Sequence, residues 1–302
     1  MTLNYIRRLA RMGHLSLTFM CYAGNSALES ELERIRQDSG SLEIIPLPFH
    51  YKPLHGMIPI LAAKDVIRVS RMIRREKPDI VVVVQGSIEI SSVGLMASKM
   101  AGCRTVSYIP LAQTKREMKS SLAAPRDFTN RLYYTLPDRF ITISRSQEEL
   151  LRGHGIPEGK VVVVHNFIDV ARFRRIEKRS ARSMLGLDED VFLFATVGRV
   201  MFKQKGQNTL IRAIGKLGMD PGRAGFLIVG DGPDIDQAEA MIRDLRLSGL
   251  VQTLPWQSSP DVVYSAVDAV ILPSIFEGVP LVMIEALHYK LPVIASRIGG
   301  FS

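Results

Sequence analysis

Ile80-Val81-Val82-Val83-Val84, entered from Asp79 and left through Gln85-Gly86-Ser87, is apolar at every position. A strand with one wet face alternates apolar and polar side chains, so this run fits a parallel strand covered by helices on both faces. Similar runs recur at 15–22, 42–47, 104–109, 139–143 and 161–165, and again at 191–197, 225–229, 251–254, 269–272 and 292–295. Amphipathic segments at 28–36, 62–75, 147–153, 207–217 and 235–247 separate them. Strand and helix in alternation predict an α/β fold with doubly wound parallel sheets.

The alternation breaks once, in an arginine-rich stretch at 166–184 with no strand of its own, and then restarts. Two domains follow, 1–175 and 176–302. Open parallel sheets bind ligands beyond the carboxyl ends of their strands, so two such domains face each other across one cleft. The chain begins on an expected helix at 3–12 and stops at Gly299-Gly300, after a strand. The first strand of the first domain and the closing helices of the second are therefore expected to be missing, which leaves strand edges open.

Composition bounds the function classes. Apolar residues make up 46% and charged residues 23%, a soluble globular balance. The most apolar stretch, 80–101, is interrupted by Gln85, Ser87, Glu89 and Lys99, so no helix spans a bilayer. Arg7, Arg8 and Arg11 before the apolar 15–23 imitate a secretory leader, but Gly13-His14 reads as a turn between a helix and a strand. Two cysteines without partner spacing read as buried thiols in a reducing, cytoplasmic setting. The net charge of +9 concentrates at 64–77 (Lys64, Arg68, Arg71, Arg74, Arg75, Lys77) and at 172–182 (Arg172, Arg174, Arg175, Lys178, Arg179, Arg182). The first is either a solvated helix face or a surface for anionic membrane lipid or an acidic acceptor. No nucleic-acid partner is expected.

Four features of the second half converge on one ligand. Strand 195–197 ends in Gly198-Arg199, and Lys205-Gly206 opens the helix at 207. A guanidinium and an ammonium beside a helix start suit a diphosphate. Gly230-Asp231-Gly232-Pro233 ends another strand, and its glycines allow close backbone approach. Glu277 and Glu285 flank Gly278, Pro280, Leu281 and Val282. Pro280 starts a helix whose free first-turn amides, around Leu281 and Val282, favour an anion. Glu277 can accept sugar hydroxyls and Glu285 a ribose diol; set among Ile284, Ala286 and Leu287, Glu285 needs a partner. Lastly Gly299-Gly300 closes the floor of the site.

In order and spacing, Gly198-Arg199, Lys205-Gly206, Gly230-Asp231-Gly232-Pro233, the Glu277/Glu285 pair and Gly299-Gly300 resemble retaining GT-B glycosyltransferases of family 4. The resemblance covers about residues 140–300, including Ile143-Ser144, Asn166-Phe167-Ile168-Asp169 and Phe173, and is weaker before residue 130. It implies two Rossmann-like domains and transfer of a sugar from a nucleoside diphosphate sugar to a glycan or lipid-linked acceptor, with retained anomeric configuration. It also implies that Arg199 and Lys205 stabilise the leaving diphosphate and that Glu277 and Glu285 hold the donor sugar and the ribose. Gly198, Gly230, Gly232, Gly278, Leu281 and Val282 line the donor site, with no cofactor and no metal. Asp188-Glu189-Asp190 and Asp234-Ile235-Asp236 read as a turn and a helix start rather than metal ligands.

Three departures stand out. The glycine-rich loop after a first strand is absent, the stretch 107–113 lacks the family's histidine, and Lys290 stands where a glycine is usual. The six histidines have no metal or triad spacing. A catalytically silent partner subunit and a nucleotide-sugar epimerase of the same fold are the alternatives.

Overall fold

The computed structural model describes residues 2–22, 24–50, 56, 58–220, 222–257 and 259–298. The Gly299-Gly300 turn and His55 lie outside the described residues. The chain forms two compact units, 1–165 and 166–302. The break falls ten residues before the expected one because 166–175 is bonded into the second unit. Asn166 Nδ2 donates to Val279 O, Arg174 N–H to Asp261 Oδ1 at 3.0 Å, and Phe173 packs edge-on to Tyr289.

In unit 1 the elements run α1 (Thr2–Ala10), β1 (Leu17–Tyr22), α2 (Ser26–Ser39), β2 (Leu42–Leu47), α3 (Ala63–Glu76) and β3 (Ile80–Val84). Then follow α4 (Ser92–Ala101), β4 (Arg104–Tyr108), α5 (Ala123–Tyr134), β5 (Arg139–Thr142), α6 (Arg145–Gly153) and β6 (Val161–Val163). All pairings among the described residues are parallel. They form two sheets rather than the single sheet expected: β1-β2, and β3-β4-β5-β6. One apolar cluster spans both, with Met20 and Tyr22 of β1, Leu47 of β2 and Val81 of β3 packed with Val66, Val69 and Ile73 of α3. That α3 stripe is the one the helical spacing of Val66, Val69 and Ile73 predicts.

Unit 2 runs α7 (Lys178–Met184), β7 (Phe192–Val197), α8 (Phe202–Lys205), α9 (Gln207–Leu217), β8 (Ala224–Val229) and α10 (Ile235–Asp244). It continues through β9 (Val251–Leu254), α11 (Pro260–Ala266), β10 (Ala269–Leu272), α12 (Leu281–His288) and β11 (Val293–Ala295). Its sheet is parallel, in the order β11-β10-β7-β8-β9. From β7 the chain builds outward to β8 and β9, then returns to place β10 on the other side of β7. The loops leaving β7 and β10 thus start at the switch point of the sheet, the place where open parallel sheets bind ligands. The candidate donor-site residues described lie on loops or first helical turns at that end, except Lys205 at the close of α8 and Glu285 inside α12.

In the arginine-rich 172–182, Arg172, Arg174, Arg175, Lys178 and Arg179 are exposed and Arg182 is buried. Arg182 is 3% exposed, pairs with Asp268 Oδ2 at 2.7 Å, and donates from Nε to Ala266 O at 2.9 Å. Lys178 pairs with the same aspartate and Arg179 with Glu189. Arg182 and Lys178 thus tie α7 to the start of β10 through Asp268.

Candidate donor site

Gly198 turns the chain after β7 at φ +130°, and Gly230 after β8 at +134°, conformations only glycine adopts cheaply. The two loops run bonded together, Gly198 N–H to Val229 O and Val200 N–H to Asp231 O, each at 2.9 Å. A Cβ on Gly230 would lie 2.2 Å from Gly198 O, and one on Gly232 2.1 Å from Val200 O. The glycines at 230 and 232 thus answer to the neighbouring loop, which they let lie backbone to backbone. Arg199 projects from this doubled loop, exposed and without an ion pair among the described residues, while its carbonyl accepts Gln207 Nε2 at 3.0 Å.

Lys205 closes the short helix α8, and Gly206 follows at φ +68°. A Cβ on Gly206 would lie 2.1 Å from Pro273 O, and Ile275 N–H donates to Gln204 O at 2.7 Å. The Lys205-Gly206 turn is therefore seated on the loop leaving β10. This brings the Lys205 ammonium onto Glu277 Oε1 as an ion pair, with side chains 23% and 8% exposed. Ser274 Oγ donates to the same carboxylate oxygen at 3.2 Å. Two residues expected to play separate roles are thus one neutral pair in the resting site, and Arg199 supplies the net positive charge.

Glu277 and buried Gly278 lead through Val279 to Pro280, the residue before α12. No side chain caps α12. The first-turn amides, at Leu281 and Val282, are the helix's positive end, worth roughly half a charge. Glu285 lies one turn further along, and its partner is Tyr264 of α11, whose hydroxyl donates to Oε2 at 2.6 Å. Burial pushes the Glu285 carboxyl above its ordinary range, and this hydrogen bond pulls it partly back. The carboxyl end of the unit 2 sheet thus carries one exposed cation at Arg199, one cation–carboxylate pair, an uncapped helix start and a second carboxylate. Such a set can hold an anion on one side and hydroxyls on the other.

The Asp-x-Asp strings serve the backbone. Asp188 Oδ1 accepts Asp190 N–H at 3.0 Å, and Asp234 Oδ2 accepts Phe202 N–H at 2.7 Å. Asp236 lies in the first turn of α10.

Sequence reading missed a buried charge cluster at the carboxyl end of β3 and β4 in unit 1. Glu89 and Lys115 are 7% and 4% exposed. Lys115 Nζ lies 3.0 Å from Glu89 Oε1 and donates to Ser87 Oγ at 2.9 Å; Arg126 Nε donates to Glu89 Oε2 at 3.1 Å. Burial alone would raise Glu89, but the hydrogen bonds and charges of Arg126 and Lys115 outweigh it and hold the carboxyl below its ordinary range. Three residues so far apart along the chain carry no spacing signal; only the strand crossings assemble them.

Residues 1–172 match Glycosyltransferase Family 4, and residues 177–302 match Glycosyl transferases group 1. This chain belongs to glycosyltransferase family 4. It has the GT-B fold of two Rossmann-like α/β domains. The D-inositol 3-phosphate glycosyltransferase of Mycobacterium bovis (strain BCG / Pasteur 1173P2) is 33% identical over 172 residues, covering 54% of this chain and 35% of that protein. The match thus spans about a third of that curated relative's length. Among solved structures, Anabaena HepE in complex with UDP and glucose superimposes with a TM-score of 0.71 at 19% identity, over 95% of this chain and 82% of that one. Sucrose-phosphate synthase from Thermosynechococcus elongatus gives 0.73 at 18% identity, over 95% and 82%. At these identities the structures speak for the fold alone. Among the described residues no helix is long and apolar enough to cross a membrane.

Proposed function

We propose that this chain is a metal-independent retaining glycosyltransferase. It moves a sugar from a nucleoside diphosphate sugar to the hydroxyl of a glycan or lipid-linked acceptor, in cell-envelope glycan or glycolipid synthesis. The observation that carries the reading is the meeting, at the switch point of the unit 2 sheet, of Arg199, the Lys205–Glu277 pair and the uncapped start of α12. HepE, of the same fold, has been crystallised with UDP-glucose, which supports a nucleotide-sugar donor.

In this reading the diphosphate lies against Arg199, Lys205 and the amides around Leu281 and Val282. As the bond from the anomeric carbon to the diphosphate breaks, its electron pair goes to the departing oxygen. Preorganised cations and a helix dipole stabilise that charge without reorganising. The acceptor oxygen bonds the anomeric carbon from the face the diphosphate leaves, and its proton departs with the diphosphate. Glu277, held by Lys205 and Ser274, accepts hydroxyls of the donor sugar, and Glu285 takes the ribose diol. Diphosphate chemistry usually recruits a divalent ion; here two side-chain cations stand in its place.

The same protein works at the cytoplasmic face of an anionic membrane, through α3. Lys64, Arg68, Arg71, Arg74 and Arg75 are all exposed, and beside them Ile60, Leu61 and Ile67 are 81%, 52% and 39% exposed. Basic residues interleaved with bare apolar ones are what an interfacial helix presents to anionic lipid.

A screen of uridine, guanosine and adenosine diphosphate sugars for binding to the protein tests the donor assignment. At least one should bind, and binding should weaken with Arg199→Ala. No binding by any of them, or binding indifferent to Arg199, would sink it.

A further inference from the structure

Glu285 is half-buried in α12, where a glutamate has three side-chain torsions to settle before it can meet a ligand. Tyr264, on α11, is 1% exposed, so its hydroxyl comes from a fixed ring. The ring packs on Tyr289 with centroids 5.4 Å apart. Tyr289 is itself held: its hydroxyl donates to Asp261 Oδ1 and lies 3.2 Å from Arg174 O. The anchor under Glu285 is therefore a buried pair of rings packed at a tilt and held by further contacts.

A carboxylate can accept on both oxygens. Tyr264 takes Oε2, and Oε1 has no hydrogen-bond partner among the described residues. One oxygen is thus tied to the core and the other left open, two turns at most from the uncapped start of α12. A vicinal diol offers two donors to a carboxylate, and the fixed oxygen sets the plane in which they must approach.

We infer that Tyr264 is a positioning residue, one that orients the Glu285 carboxylate so that its open oxygen meets the ribose diol of the donor nucleotide. The inference rests on the proposed donor role of Glu285. Tyr264 touches no substrate and acts only through that carboxylate. Burial raises the Glu285 carboxyl, and the Tyr264 hydroxyl opposes the rise, so the same bond helps keep the acceptor ionised. Burial, Asp261 and Glu285 push the Tyr289 hydroxyl up, against the opposing pull of Arg175, so Tyr289 faces Glu285 as a neutral group.

The test reads the diol directly. Binding of uridine diphosphate and of its 2′,3′-dideoxy analogue is measured by calorimetry on the whole chain, with the guanosine pair alongside. The compared proteins are the parent, Tyr264→Phe, Glu285→Ala, the double variant and Tyr289→Phe. A hydrogen bond to a charged group should make the parent prefer the ribonucleotide by about tenfold or more. Glu285→Ala should abolish the preference. Tyr264→Phe keeps the ring and its packing, and should cut the preference by about three- to tenfold. It should change nothing further in the Glu285→Ala background. Tyr289→Phe keeps the ring that packs on Tyr264 and loses only its hydroxyl, bonded to Asp261, so it should cut the preference less than Tyr264→Phe does.

If Tyr264→Phe melts without cooperativity, Glu285→Asp replaces it, since a shorter side chain withdraws the carboxylate from the same hydroxyl. Full discrimination in Tyr264→Phe, with none in Glu285→Ala, overturns the positioning role and leaves the donor role standing. Full discrimination in Glu285→Ala, or no nucleotide bound by the parent, overturns the donor role itself.

Discussion

Lys205→Ala is the perturbation with the most to lose, because Lys205 holds Glu277 as well as lying at the candidate donor site. Its removal takes away one cation and also leaves Glu277, 7% exposed, with only Ser274 Oγ at 3.2 Å. A charge-assisted hydrogen bond to the diphosphate is worth about 1.5–3 kcal/mol. Like charges about 6 Å apart repel by about 3 kcal/mol at an effective dielectric of about 20, which sets the scale for the freed carboxylate against a phosphate within reach of Lys205. Allowing for overlap and partial screening, the total is about 3–5 kcal/mol, or roughly two to three and a half powers of ten in nucleoside diphosphate affinity. Turnover should fall by about 10²–10³, as when one preorganised electrostatic donor is removed. The assay is calorimetric binding of the diphosphate alone, beside initial rates with the intact donor. Adding Glu277→Gln to Lys205→Ala should recover about one to two powers of ten in diphosphate binding, because it removes the repulsion. A single variant within threefold of the parent, or a double variant that binds worse than the single, would refute the reasoning.

The remaining expectations are briefer. Transfer should continue in excess chelator; activity abolished there and restored by manganese or magnesium overturns the metal-independent reading. Glu89→Ala should destabilise unit 1 by about 3–5 kcal/mol at neutral pH, since it strands the buried Lys115 and the partly buried Arg126, whereas Lys115→Met leaves the Glu89–Arg126 pair and should cost less. Because the folded-state carboxyl of Glu89 is held below its ordinary range, its contribution is present at neutral pH and lost as pH falls through that lowered value. The melting gap between parent and Glu89→Ala should therefore close in acid; a gap that widens contradicts the ion-pair account. Lys290 sits at φ +61° in the turn after α12, a left-handed position that costs a side chain about 1 kcal/mol. Lys290→Gly should accordingly raise the melting temperature by a few degrees, and a lower one would show that the side chain compensates. Co-sedimentation with anionic vesicles should weaken with salt and with Ile60→Ser; equal binding to neutral and anionic vesicles leaves α3 an ordinary solvated face.

Periodicity alone determined the α/β class and most of the elements. β2, β9 and β10 fall at the bounds their strand-like runs predict, although β2 and β9 keep exposed positions and β3, read as covered on both faces, leaves Ile80 and Val82 53% and 52% exposed. The glycines at 198, 206 and 230 were legible because a left-handed turn tolerates little else. Lys290 was legible as an anomaly against the family pattern, and its positive φ explains why glycine is the usual residue there. The site was visible as residue types, a guanidinium, an ammonium and two glutamates, but not as partners. Sequence could say that Glu285 needed a partner; it could not name Tyr264, which reaches it from another helix. It read Lys205 and Glu277 as separate groups, although the seating of Gly206 on Pro273 makes them a pair. The Glu89–Lys115–Arg126 cluster and the buried Arg182 left no mark in spacing at all. Local patterns are set by contacts between near neighbours along the chain, and these a sequence displays. Ion pairs and hydrogen bonds between elements depend on strand order and loop packing, and in this protein only the tertiary structure decided them.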